Sequence, residues 1–430
     1  MGAASFPRAF VLTVAAAGLA ARLAFGLVYW VDEKLNRDEI EYLSLSRSLA
    51  AGHGYVYDEH VANGPVQPFG RAPGYPVFLA LVGGGAAGSV ERVPASVKIA
   101  QSLAGAIGVV LIAVAAFRLG GAGSAKAAAA IAAMYPPLIW VAGYAYSESI
   151  FWPIGLGLAL VMSRALDQKP GVLSSGKYSR LRIWQPAIVL GLFTGLSILV
   201  RAATLLFVPL SALWLIYERR WITLAGMAIG LVLVLTPWTI RNMNFYGHFV
   251  LVASDGGVTF WTGNNRLATG EGDMAANPHL KLANQALRDR HPHLSEEQME
   301  PVYYQESIGW IREHPGDWLW LMARKVFYVV VPIGPSYQVH SARYFWASVL
   351  SYGLLLPLAA VGAWRLGSRR SRLAGMWILA AAAVATCLVF FPQERFRIPV
   401  IDPALILLAS GLWASVQLGD AQGAAGRRAA

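Results

Sequence analysis

Charge is scarce in this sequence. Of 430 residues, only 14% are Asp, Glu, Lys or Arg, against about 25% in a soluble globular domain. That deficit excludes an ordinary cytosolic enzyme, a disordered chain and a coiled coil. Cysteine is almost missing: Cys387 stands alone inside an apolar run, so neither a disulfide framework nor a cysteine–histidine zinc spacing can be built. No GxGxxG or P-loop pattern stands in the strand–helix context it needs, and there is no Gly-x-Ser-x-Gly elbow. The apolar runs are continuous and not alternating, which argues against an outer-membrane barrel. What is present instead is apolar: 56% of residues are hydrophobic, and mean hydropathy is +0.48. Long apolar runs recur from end to end, the pattern of an all-α polytopic membrane protein.

The net charge of +11 does not imply nucleic acid as a partner. The basic residues fall in short clusters between apolar runs, where membrane topology puts them. Those clusters orient the chain. Residues 9–30 form a first span, too long for a cleaved signal peptide and interrupted by Arg22, and so expected to be retained. Arg8 before it places the N-terminus inside. Further spans are expected at 95–117, 126–143, 148–163, 221–238, 344–364, 374–391 and 398–415. Two short halves in 184–217, split by Arg201, form either a hairpin with Arg201 outside or one kinked helix. With every basic cluster cytoplasmic, 31–93, 144–147, 239–343 and 392–397 face outward. The apolar pieces 73–88 and 317–333 cannot then cross, and are expected as interfacial helices. The count is about ten spans in a single domain covering 1–430, with a first outer loop at 31–93 and a long one at 239–343. The Ala/Gly/Arg-rich composition suggests a bacterium, and hence its cytoplasmic membrane.

The outer loops carry the chemistry. Asp38 and Glu39 stand in the first turn of an amphipathic stretch, where a helix N-terminus favours a carboxylate. They are either capping acids or a general base poised at the interface. Arg71 precedes a Pro/Gly turn and suits a lipid head-group phosphate, which Arg can grip with two hydrogen bonds, or else bulk anionic lipid. Glu148 begins a span, and either caps it with Ser147 or faces a cavity or partner. Arg201, Arg241, Arg395 and Arg397 all map to outer ends of spans. Outward arginines run against the positive-inside rule and call for an anion, although Arg397 can pair instead with Glu394 or Asp402. The eight histidines resolve into no metal site.

Taken in order, these residues make the chain resemble the GT-C membrane glycosyltransferases, in particular the protein O-mannosyltransferase and aminoarabinose transferase group. The likeness rests on Arg37-Asp38-Glu39, Arg71-Ala72-Pro73-Gly74-Tyr75-Pro76, Tyr146-Ser147-Glu148-Ser149, Arg201, Pro237-Trp238 with Arg241-Asn242, Gly263-Asn264-Asn265 and Arg395-Phe396-Arg397-Ile398-Pro399. Members of that group often have more spans and a larger C-terminal soluble domain, and often a Lys or His near the position of Arg71. The resemblance implies a GT-C-like bundle and an inverting transfer of a sugar from a polyprenyl-phosphate donor to an acceptor hydroxyl on the outer face. The acceptor would be a glycolipid, a glycan or a protein. Asp38, with Glu39 and Glu148, would form the catalytic set. Arg71, Tyr75, Tyr146, Arg201, Arg241, Asn264, Arg395 and Arg397 would bind substrate, the arginines steadying the charge that grows on the leaving phosphate. Arginines in that role call for no metal and no cofactor. A lipid-linked glycan flippase is the alternative; it needs charged groups inside several spans, where only Arg22 stands.

Overall fold

The computed structural model describes residues 5–57, 70–86, 91–167, 177–272, 274, 276–331, 333 and 341–415. Among them every regular element is helical. Five helices are long and apolar enough to cross a membrane: Arg8–Tyr29, Ala95–Gly120, Glu148–Asp167, Trp221–Tyr246 and Ala342–Val389. A sixth is made if Ala122–Met134 and Pro136–Gly143, bent by 63°, count as one. The chain is therefore a multi-pass membrane protein, with fewer full-length spans than the ten expected. The shortfall has a physical reason. Trp184–Val200, Ala202–Tyr217 and Ile401–Trp413 are apolar but short, and the expected spans at 344–364 and 374–391 run on through a 3₁₀ segment, Gly367–Leu373. Their 48 residues would reach roughly 72 Å as straight helix, more than twice a 30 Å hydrocarbon core, so that segment divides a double crossing.

The helices close on one another through small residues. Ala113, Ala115 and Ala116 are buried with Ala125, Ala128, Ala129 and Ala132 in the main core. A β-carbon on Gly191 would meet the Met227 carbonyl at 2.1 Å, and one on Gly230 the Ile188 carbonyl at 2.3 Å. The helix Lys177–Val200 can thus lie directly on Trp221–Tyr246, which is how small residues bring membrane helices together. Arg22 is fully buried between helices. Its guanidinium donates to the Gly18 carbonyl at 2.9 Å and the Ala132 carbonyl at 3.2 Å, so it serves packing.

Arg201 breaks the 184–217 stretch with an extended backbone (φ −147°, ψ 104°). The helix before it packs on Trp221–Tyr246 and Glu148–Asp167, and Phe207–Tyr217 packs on Ala374–Val389 and also on Trp221–Tyr246. The extended residue thus divides the stretch into two helices that share one partner.

The stretches 73–88 and 317–333 hold the short helices Gly74–Leu81 and Pro315–Val330, and neither qualifies as a span. Pro315–Val330 keeps Leu319, Trp320, Val326, Phe327 and Val330 exposed, an apolar face of the kind an interfacial helix would turn to lipid. The remainder of the long loop forms a small helical cluster. Its core is Trp261, Leu280, Leu287, Met299 and Tyr303.

Candidate active site

The helix Arg37–Ala50 begins where Asn36 caps it. The Asn36 side chain accepts the Glu39 N–H at 3.2 Å, and the Glu39 carboxylate accepts the Asn36 N–H at 3.1 Å in return, a reciprocal capping box. The other Glu39 oxygen accepts the Ala145 N–H at 2.9 Å. Burial raises the Glu39 pKa, with the Ala145 and Asn36 N–H groups opposing. Both Glu39 oxygens thus go into structure: they fix the helix start and tie it to the 144–147 turn. The Asn36 amide also donates to the Tyr146 hydroxyl at 2.5 Å.

Asp38, one residue earlier, turns the other way. Its Oδ1 lies 2.5 Å from Arg71 Nη2, and its Oδ2 pairs with Arg395 Nη1. Burial alone would raise its pKa. The Arg395 and Arg71 guanidinium groups, by charge and by hydrogen bonds, outweigh that and hold the carboxyl well below the usual carboxylate range. Arg71 also donates from Nε to Glu41 at 2.7 Å and lies over the Tyr42 ring at 4.7 Å.

A second ion pair stands beside the first. Arg201 Nη1 lies 3.0 Å from Glu148 and donates to Ser147 Oγ at 3.1 Å, while Ser147 donates to the other Glu148 oxygen at 3.2 Å. Ser147 therefore bridges this pair, and Glu148 at the start of its span faces a partner. The Phe396 ring links the two pairs, with Arg201 at 5.4 Å and Arg395 at 5.1 Å from its centre. Arg395 also lies 5.2 Å from the Tyr146 ring. Five separate parts of the chain thus meet: 36–42, 71, 146–148, 201 and 395–396.

Two acids in this cluster escape sequence reading. Glu41 takes Arg71 and also accepts from Arg37 at 2.8 Å; its three-residue spacing from Asp38, one helical face, was the available signal. Asp255 lies within electrostatic reach of Arg71, Glu41 and Asp38. Burial raises its pKa, Arg71 lowers it, and the two acids raise it further. It sits in Ser-Asp-Gly-Gly, immediately before the helix Gly256–Gly263, and nothing in the sequence marks it.

Other expected residues lie apart from Asp38. Tyr75 is core: its hydroxyl donates to Gln101 at 2.6 Å. Arg241 donates to the Tyr55 carbonyl at 2.9 Å and stacks on Trp238 and Phe245. It braces a loop whose Tyr55 hydroxyl donates to the Arg71 carbonyl at 2.7 Å. Asn264 accepts from Lys325 at 3.0 Å; burial pushes that lysine down to about 7. Arg397 donates to Asp402 at 2.9 Å and lies 3.6 Å from the Tyr352 ring centre.

No protein-family model and no curated sequence matches the chain. Solved structures do. The chain is similar to ArnT from Cupriavidus metallidurans bound to undecaprenyl phosphate, with TM-score 0.53 and 14% identity, over 98% of this chain and 63% of that one. It is similar also to the Archaeoglobus fulgidus oligosaccharyltransferase tethered with an acceptor peptide, with TM-score 0.55 and 13% identity, over 95% of this chain and 50% of that one. The chain thus spans 63% and 50% of the lengths of these two proteins. At such identities the likeness is one of fold, and the fold is that of the GT-C membrane glycosyltransferases.

Proposed function

We propose that this protein is an inverting glycosyltransferase that moves a sugar from a polyprenyl-phosphate donor to an acceptor hydroxyl, on the outer face of a bacterial cytoplasmic membrane. The observation that carries the reading is Asp38 held between Arg71 and Arg395, beside the Glu148–Arg201 pair, within a GT-C fold. The ArnT structure is bound to undecaprenyl phosphate, and the oligosaccharyltransferase structure carries an acceptor peptide; both kinds of partner suit this reading.

The chemistry follows from the pairing. An acceptor hydroxyl attacks the anomeric carbon through an oxocarbenium-like state, and a carboxylate within reach takes its proton. Asp38 clamped by two guanidinium groups is ionised but weakly basic. A lipid phosphate competes for the same guanidinium groups. As Arg71 and Arg395 turn to the phosphate, Asp38 loses the charges that depress it and becomes a stronger base. The same arginines then meet the negative charge on the departing phosphate. Glu39 positions the helix that presents Asp38, and Glu148 fixes Arg201. In this reading 1–430 work as one domain, and Arg241 acts from outside the cluster by bracing Tyr55.

The test is purified protein incubated with a panel of polyprenyl-phosphate sugars, with and without glycolipid, glycan and peptide acceptors. Release of polyprenyl phosphate identifies the donor. If no donor in the panel is consumed, the reading falls.

A further inference from the structure

Asp38, Glu41 and Tyr42 share one face of the helix Arg37–Ala50, at i, i+3 and i+4, and Arg71 lies against all three. The two acids take its N–H groups. The Tyr42 ring takes its flat side, with the guanidinium carbon 4.7 Å from the ring centre. Glu41 draws on the charge of Arg71, whereas an aromatic face attracts a cation without neutralising it. The ring is itself held. Tyr75 meets it edge-on at 4.8 Å and 89°, and Tyr75 is fully buried and anchored on Gln101.

The Tyr42 hydroxyl, at the tip of the ring, hydrogen-bonds Ser147. Ser147 has one proton to give, and gives it to Glu148 at 3.2 Å. Its oxygen accepts from Arg201 at 3.1 Å, which leaves its second lone pair for Tyr42 as donor. Burial raises the Tyr42 pKa, with Arg71 opposing and Glu148 and Asp38 adding to the rise, so the hydroxyl keeps the proton this bond needs. One side chain thus touches both ion pairs, its ring on Arg71 and its hydroxyl on the serine that bridges Arg201 and Glu148.

Arg71 and Arg201 come from distant parts of the chain. Cations steady a departing phosphate best when they are in place before its charge grows, and Arg71 has also to keep its place while it changes partner. We propose that Tyr42 is a positioning residue for glycosyl transfer: its ring holds Arg71 through the exchange of Asp38 for the donor phosphate, and its hydroxyl, through Ser147, sets Arg201 to meet the same phosphate. This rests on the transfer reading above and adds a residue that the reading does not use. Phe396 plays the matching part between Arg201 and Arg395.

The experiment uses the full chain in lipid nanodiscs and separates ring from hydroxyl. Tyr42→Phe keeps the ring under Arg71 and removes the hydroxyl; Tyr42→Leu removes both. The first readout is kcat/KM with whichever polyprenyl-phosphate sugar of the panel is consumed. Tyr42→Phe should lower it about fivefold to tenfold, the scale of one hydrogen bond. Ser147→Ala should lower it at least as far, and the double variant no further than Ser147→Ala alone, because both cut one link. The second readout needs no donor: the titration of the Asp38 carboxyl, followed by the infrared band that Asp38→Asn removes. Tyr42→Phe should titrate as the unmodified protein does. Tyr42→Leu should titrate roughly one pH unit higher, as Arg71 drifts from Asp38 and one depressing charge weakens. Should Tyr42→Leu fail to fold, Tyr42→Met fills the space between Tyr75 and Arg71 without an aromatic face and takes its place. The role is overturned if Tyr42→Phe turns over as the unmodified protein does, if the Tyr42→Phe and Ser147→Ala losses multiply, or if removing the ring leaves the Asp38 titration unmoved. Donor turnover with that titration unmoved sinks the role of Tyr42 alone. A moved titration with no donor consumed keeps Tyr42 as the hold on Arg71 and sinks the transfer reading.

Discussion

Arg395 and Arg397 are two residues apart on one short helical turn, Glu394–Arg397, yet they inhabit different parts of the molecule. Side chains at i and i+2 point to nearly opposite sides of a helix. Arg395 therefore reaches Asp38 in the half-open cluster, while Arg397 turns inward to Asp402 and Tyr352. The Asp38 carboxylate is 22% exposed and shared by two guanidinium groups. Asp402 is fully buried, and also accepts the Tyr135 hydroxyl at 3.0 Å. The first arrangement can exchange partners with an incoming anion. The second cannot let go without leaving a charge buried. Identical residue types thus divide into a part-exposed pair and a fully buried one, and in the proposed function only the first is reactive.

Mutations break or sharpen this contrast. The largest expected effect is Asp38→Asn: donor turnover should fall about 10²–10⁴-fold, the range for loss of a general base, and stability should fall as well, since Arg71 and Arg395 lose their shared carboxylate. A variant with full turnover would remove Asp38 as the base. Arg397→Ala should act chiefly on stability, costing roughly 3–5 kcal/mol because Asp402 is left unpaired, as read by detergent-unfolding curves. Arg395→Ala should leave those curves nearly unchanged and lower turnover about 10²–10³-fold, the scale of one lost charge-stabilising donor. If Arg395→Ala and Arg397→Ala behave alike, the distinction fails.

The acid limb of the stability curve sharpens it further. Asp38 is depressed in the folded protein, so its stabilising contribution is whole above the unfolded carboxylate value of about 3.9 and is lost as pH falls below it. The stability gap between the unmodified protein and Asp38→Asn should be flat from pH 8 to 5 and should close below about pH 4. A gap that changes near neutrality would contradict the clamp. The smallest effect is at the cap. Asn36→Ala should cost about 1 kcal/mol and reduce turnover only through the orientation of Asp38, so that a restored helix start should restore rate.

Much of the layout is legible in the sequence. The apolar runs give the helices, the basic clusters divide them, and Asp38 after the first span and Arg71 before the Pro/Gly turn stand out as candidate residues, although nothing in the sequence pairs them. Reading falters where two residues of the same type take different partners. Asn264 stands in a Gly-Asn-Asn turn yet is committed to Lys325. Tyr75 sits in a matched motif yet is buried against Gln101 and Tyr42. Arg241 braces Tyr55. Asp255 joins the cluster from the start of a helix with no distinguishing pattern. Spans were also overcounted, because hydropathy marks an apolar run but not whether its helix is broken or shortened by its neighbours.

Composition and periodicity decided that this chain enters a bilayer as helices and that acids and arginines gather at helix ends, because the cost of polar groups in hydrocarbon acts residue by residue and can be read locally. Which arginine meets which acid was settled only by tertiary packing. Asp38 and Arg395 are separated by 357 residues, and electrostatic pairing depends on distance and burial, neither of which a linear chain contains.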